Sequence, residues 1–187
     1  MKDQNIESLY LDQLRDLYDA EKQIIKALPK LVKATNSSEL REALSEHLEV
    51  TKQQAQRLEQ IFEARGEKPK TQKCKGMAGV LAEGDELVEK GWSENVKDAA
   101  IIASAQRVEH YEMAGYATAR ALAELLGEDE AAQQLETTLE EEKEADQKLS
   151  GLSENINQQA KGESNGQEAD EVEKGTRKAP SRSRRVA

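Results

Sequence analysis

The sequence has little cysteine, proline or aromatic residue: it contains one Cys, three Pro, one Phe and one Trp in 187 residues. A single cysteine excludes an intramolecular disulfide, so a reducing compartment such as the cytoplasm is the simplest setting for the chain. The chain also lacks any apolar run of membrane-spanning length, and its first ten residues lack the apolar core of a signal peptide. We therefore expect a cytoplasmic protein that does not associate with membranes.

Stretches that alternate apolar and polar residues, which would predict strands, are also scarce. Ala, Leu, Glu, Lys and Gln dominate, with 36% hydrophobic and 34% charged residues. This composition is typical of helices. The sequence thus predicts an all-α fold, and its length is sufficient for one domain with a substantial core.

Apolar residues recur at helical spacing in four long stretches of the sequence. They predict helices over about residues 5–34, 38–65, 93–126 and 128–152. The connection between the second and third helices, residues 66–92, is long and carries a short amphipathic segment. Two helical hairpins joined by one such crossover are typical of a ferritin-like four-helix bundle, which we expect to occupy residues 1–152.

The remaining residues, 153–187, contain few apolar side chains and predict a disordered charged tail. From Lys174 onward the tail has six basic residues and no acidic one. Such a basic segment can bind nucleic-acid phosphates in a salt-dependent manner. The acidic residues just before it and the net charge of −10 for the chain argue against this contact. We therefore expect no nucleic-acid binding by the folded domain, and leave it open only for the basic tail.

Three of the four predicted helices place a glutamate in the middle of their apolar face: Glu21, Glu109 and Glu142. An ionised carboxylate in an apolar interior is unfavourable unless it is neutralised, paired or bound to a cation. The apolar faces carry no Lys or Arg at the matching level. Carboxylates with a few imidazoles suit iron or manganese, so the pattern predicts a buried centre for two such ions.

Three further side chains lie close to this pattern. His47 is near the edge of the apolar face of the second helix, Glu112 is one turn from Glu109, and Asp146 is one turn from Glu142. Di-metal bundles usually repeat a Glu-x-x-His motif on two helices, but here Ala145 stands three residues after Glu142. The candidate metal ligands are therefore Glu21, His47, Glu109, Glu112, Glu142 and Asp146.

The same residues also fit an interpretation without metal. Long bundle helices tolerate polar core networks, in which tyrosines, Gln106 or an arginine would partner the glutamates. His47 is equally compatible with a metal ligand, a donor to a ligand, or a core histidine with a structural partner.

Five stretches of the sequence resemble a known bacterial family. They are LYDAEKQIIKALPKL (17–31), HLEVTKQQAQRLEQIF (47–62), KCKGM (73–77), QRVEHYEMAGY (106–116) and LEEEKEADQKL (139–149). These stretches are similar to the YciF-type stress proteins, also known as the DUF892 family, of the ferritin-like superfamily, and the likeness extends over about residues 5–152. The resemblance implies a homodimeric four-helix bundle with a di-metal centre like that of rubrerythrin. The chain departs from the family pattern at Val50, where relatives often carry Glu or Gln, and at Gln54, where they often carry His.

Two functions of different classes follow. The first is a stress-response protein that binds two iron or manganese ions and reacts with oxygen or peroxide. The alternative is a metal-free helical protein that dimerises or binds partners and contacts nucleic acid through its basic tail. The sequence leaves open whether the protein is an enzyme.

Overall fold

The computed structural model describes residues 5–176, with side chains through residue 163. The described residues form five α-helices and no strand, which confirms the predicted all-α fold. The helices are α1 (Ile6–Ala34), α2 (Ser38–Ala64), α3 (Lys75–Glu89), α4 (Glu94–Leu125) and α5 (Asp129–Thr176). The four long helices form the bundle, and α3 is the short helix in the crossover. Among the described residues, no helix combines the length and apolar character that crossing a bilayer requires.

The turn between α1 and α2 is held by a side chain from α4. Asp98 is 1% exposed, and its carboxylate oxygens accept hydrogen bonds from the backbone nitrogens of Asn36 at 2.9 Å and Ser37 at 2.7 Å. The Ser37 hydroxyl in turn accepts a hydrogen bond from the Leu40 nitrogen at 3.3 Å, which makes it the N-cap of α2. The entry of α2 is therefore fixed relative to α4.

Replacing Asp98 with alanine is expected to lower the free energy of unfolding by about 2 kcal/mol, because two backbone donors lose a charged, buried acceptor. Urea denaturation measures the loss. Asp98→Asn keeps one acceptor oxygen and should lose less. Asp85→Ala removes an aspartate whose side chain is 51% exposed and should change little. Equal losses for Asp98→Ala and Asp85→Ala would contradict this role.

The crossover helix α3 packs against α4 and α1. The contact with α4 is close at Gly76, where a Cβ atom would lie 2.5 Å from Cε2 of Tyr111. Only a residue without a side chain fits there unless Tyr111 moves. The predicted crossover is thus present as a packed helix.

The apolar core of the bundle forms two clusters along its length. One includes Ile24 and Ile102, and the other includes Leu58 and Tyr116. On α1, α4 and α5 the buried glutamates fall in sequence between residues of the first cluster and residues of the second. The polar centre is therefore a layer between two apolar layers.

The helix α5 extends beyond residue 152, where the sequence predicts the start of a disordered tail. Ile156 and Ala160 are 4% and 8% exposed, and the Asn95 side chain at the start of α4 donates a hydrogen bond to Glu163 at 2.7 Å. The helix therefore continues past residue 152, where sparse apolar contacts and polar contacts to α4 support it. Residues 177–187, which hold most of the basic tail, lie outside the described residues.

Candidate metal centre

Side chains from three helices converge in the polar layer of the bundle. His47 of α2, Glu109 and Glu112 of α4, and Glu142 of α5 each offer a ligand atom, and these atoms all lie within 4.8 Å of one another. Glu109 is 2% exposed, Glu112 and Glu142 are 0% exposed, and the His47 side chain is 11% exposed. The spacing of three residues between Glu109 and Glu112 places both carboxylates on the same face of α4. We call these residues the four-residue group.

Several buried polar atoms of the group have no hydrogen-bond partner among the described residues. Within the described part of the chain no hydrogen bond reaches either carboxylate oxygen of Glu112, Oε2 of Glu109, Oε2 of Glu142 or Nε2 of His47. Buried polar atoms are normally paired, and each one left unpaired costs about 1–3 kcal/mol. A set of carboxylate oxygens with one imidazole nitrogen matches the ligand preference of iron and manganese. The residues therefore fit a metal centre.

The protonation of the group follows from burial and crowding. Burial raises the pKa of Glu109 and Glu112 well above the usual range, and Glu142 and Glu21 raise both further. Burial lowers the pKa of His47, although Glu142 and Glu141 partly oppose this. The imidazole is thus neutral at pH 7, the form in which histidine binds metals. Without a cation, the cluster retains protons on buried carboxyl groups.

Glu21 of α1 lies beside the group without being one of its four members. It is 0% exposed, the Tyr116 hydroxyl donates a hydrogen bond to its Oε1, and its Oε2 has no hydrogen-bond partner among the described residues. Burial raises the pKa of Glu21 well above the usual range and Glu142 raises it further, while the Tyr116 hydrogen bond and Arg57 lower it. Glu21 therefore faces the same polar layer from α1.

Asp146 is placed differently from the other candidates. Its side chain is 21% exposed and accepts a hydrogen bond from the Gln106 amide at 2.9 Å, and Nε2 of His110 lies 3.4 Å from its Oδ1. The structure does not bring Asp146 into the four-residue group. Its carboxylate is instead held at the rim of the polar layer.

The sequence analysis names Gln54 as a departure from the family pattern, but it missed Arg57 and the contacts that both side chains make with α5. The Gln54 amide donates hydrogen bonds to Glu142 and, at 3.2 Å, to Glu141. The Arg57 guanidinium donates to both carboxylate oxygens of Glu141 at 2.6 Å each. The spacing of three residues between Gln54 and Arg57 gives them a common face of α2 and could have indicated this pairing.

The sequence predicts no Lys or Arg near the polar layer. Arg57 does lie beside it, but its guanidinium pairs with Glu141. Within the described residues, no lysine or arginine forms an ion pair with Glu21, Glu109, Glu112 or Glu142; the nearest base is His47, whose Nε2 lies 3.5 Å from Oε1 of Glu109. The four buried glutamates are thus left without a fixed cationic partner.

Comparison with known proteins gives consistent matches over most of the chain. The family model described as "Domain of unknown function (DUF892)" matches residues 5–161. Protein YciF of Escherichia coli (strain K12) is 44% identical over 162 residues, which are 86% of this chain and 98% of YciF.

Solved structures agree with the sequence matches. The crystal structure of the E. coli stress protein YciF has a TM-score of 0.79 at 45% identity, covering 82% of this chain and 97% of that chain. YcfI from Rhodopseudomonas palustris has a TM-score of 0.77 at 46% identity, covering 80% and 96%. A protein from Xanthomonas campestris pv. campestris shares the fold, with a TM-score of 0.70 at 23% identity, covering 86% and 99%. The chain belongs to the DUF892 family.

Proposed function

We propose that this protein binds two iron or manganese ions in the polar layer of its bundle and reacts with oxygen or peroxide during stress. The observation that carries this proposal is the set of unpaired, buried ligand atoms contributed by α2, α4 and α5. Cations stabilise a solvent-excluded cluster of carboxylates with a neutral imidazole, because they replace the protons that the buried carboxyl groups otherwise keep.

The residues of the layer divide into ligands and supporting side chains. His47, Glu109, Glu112 and Glu142 would hold the ions, with Glu21 as a further carboxylate from α1. Tyr116 orients Glu21 through its hydroxyl hydrogen bond. Bound iron or manganese would supply one-electron redox chemistry at this place.

Two α2 residues, Gln54 and Arg57, contact α5 and position glutamates at the polar layer. Gln54 holds one oxygen of Glu142 and leaves the other without a hydrogen-bond partner among the described side chains. Arg57 neutralises Glu141, so that this carboxylate does not add an uncompensated charge. Fixing a ligand through its non-ligating atom is a common way to orient a metal site.

The biological role is supported by a relative. E. coli YciF, whose structure this chain resembles, is described as a stress protein. We also propose that this chain forms a cytoplasmic homodimer. Light scattering after gel filtration measures the oligomeric state.

Elemental analysis followed by anaerobic Fe(II) titration is expected to give about two metal ions per chain, and exposure to air should then produce an oxidised-iron chromophore. Glu109→Ala removes a buried ligand and is expected to abolish tight binding of at least one ion. Glu49→Ala, which truncates a side chain that is 66% exposed, is the matched control and should bind as the wild type does. Iron binding by Glu109→Ala equal to that of the wild type would overturn the site assignment. No iron binding by the wild type would favour the metal-free interaction protein.

A further inference from the structure

A pocket of about 200 Å³ lies between α2 and α5 and ends at the candidate metal centre. Most of its exposed wall is aliphatic: Leu44 and Leu149 are buried, and Val50 and Ala145 are partly buried. Glu141 and Glu144 of α5 also line it. Two members of the polar layer, His47 and Glu109, also line it. The pocket therefore joins an apolar space to the polar layer.

The outer end of the pocket is marked by a surface ion pair. The Lys148 ammonium lies 2.5 Å from a carboxylate oxygen of Glu46, and their side chains are 52% and 58% exposed. Exposed pairs of this kind are weak and open readily. The pocket thus has a charged mouth and an apolar body.

The inner end of the pocket has unpaired polar atoms. Glu109 is 2% exposed, and its Oε2 has no hydrogen-bond partner among the described residues. Nε2 of His47 also has no hydrogen-bond partner among the described residues. In the metal-free protein, a hydroxyl or hydroperoxyl group at this position would donate to the carboxylate or pair with the imidazole, which removes the cost of leaving them unpaired.

The volume indicates the size of the occupant. An apolar cavity of about 150 Å³ is sufficient for benzene, whereas a water molecule takes about 30 Å³ of liquid volume. The pocket is thus larger than dioxygen or hydrogen peroxide requires. Aliphatic walls on such a space favour a ligand with an apolar body.

We propose that this pocket binds a small organic molecule with an apolar body and one oxygen-bearing head, the class of small alcohols and organic hydroperoxides. The body contacts Leu44, Val50 and Ala145, and the head faces His47 and Glu109. The assignment of hydroperoxides as reactants rests on the proposed function above. Binding of the alcohol needs no metal, so the proposed pocket and the proposed metal centre can be disproved independently.

Titration of metal-free, ¹⁵N-labelled full-length protein with benzyl alcohol tests the pocket. We expect saturable shifts in backbone amide signals of α2 and α5 around Leu44, Val50 and Ala145. tert-Butyl hydroperoxide should shift the same signals. Toluene, which lacks the polar head, and methanol, which lacks the apolar body, should each bind about tenfold more weakly or not at all. Benzyl alcohol shifts spread over other surfaces, or equal binding of methanol, would overturn the proposal.

Ala145→Phe places a ring in the pocket and is expected to weaken benzyl alcohol binding about tenfold or more. Ala121→Phe, at an exposed position of α4, is the matched control and should bind as the wild type does. Val50→Phe fills the pocket from α2 and serves where circular dichroism shows that Ala145→Phe does not fold. Unchanged affinity in the folded pocket variant would overturn the proposal. Iron binding without benzyl alcohol binding would reject the pocket alone, and the reverse would reject the metal centre alone.

Discussion

Saturating Mn(II), or Fe(II) under anaerobic conditions, is expected to raise the free energy of unfolding by about 4 kcal/mol when the metal is about a thousandfold above its dissociation constant. The gain arises because the metal binds the folded state, in which the four-residue group is assembled, and does not bind the unfolded chain in the same way. For a chain of this length, it corresponds to a rise of roughly 10 °C in Tm. Thermal unfolding with metal and with a chelator measures the difference.

Glu112→Gln is the variant that tests this gain most directly. Neither carboxylate oxygen of Glu112 has a hydrogen-bond partner among the described residues, so the amide removes an anionic metal ligand without breaking a visible contact. We expect the variant to lose most of the metal-dependent rise in Tm. Glu49→Gln, at a side chain that is 66% exposed, should retain it. The same rise in both variants would show that the metal stabilises the protein elsewhere.

The centre of the candidate site was predictable because helical periodicity is a strong constraint. Glu21, Glu109 and Glu142 each fall on an apolar face in the sequence, and all three are at most 2% exposed in the structure. His47 was placed near the edge of its face, and its imidazole does reach the polar layer. The sequence alone therefore predicts which side chains point inward, since helix geometry fixes the direction of each side chain around the helix axis.

Contacts between helices were less predictable. The Gln54 and Arg57 side chains meet Glu142 and Glu141 only because of the register between α2 and α5, which periodicity within one helix does not determine. Asp146 lies at the rim because its position four residues after Glu142 turns it partly away from that side chain on the surface of α5. The limit on predicting contacts between helices also explains the length of α5, where a contact with Asn95 supports the helix beyond its sparse apolar pattern.

Glu112→Gln is also expected to make the metal-free protein more stable than the wild type at pH 7, by about 1–3 kcal/mol. In the folded protein, burial raises the pKa of Glu112 well above its ordinary value of 4.5, and Glu21, Glu142 and Glu109 raise it further. Below pH 4.5 the carboxyl is protonated in both the folded and the unfolded chain, so it contributes no difference in stability. Above that pH the unfolded chain releases the proton while the folded chain retains it, so the wild type loses stability progressively until the pH passes the folded pKa, and above the folded pKa the loss stays constant.

The pH dependence of the difference between the two proteins is therefore the informative measurement. Urea denaturation of both in chelator should show nearly equal free energies of unfolding near pH 4, and a growing advantage of Glu112→Gln toward pH 7. Glu49→Gln should follow the wild type at every pH. Adding metal should reverse the order at pH 7, because only the wild type then gains from the cation. A metal-free Glu112→Gln variant that is less stable than the wild type at pH 7 would mean that the carboxylate has a structural partner. The polar layer would then be an ordinary core network, in which buried acids stabilise the fold without a cation.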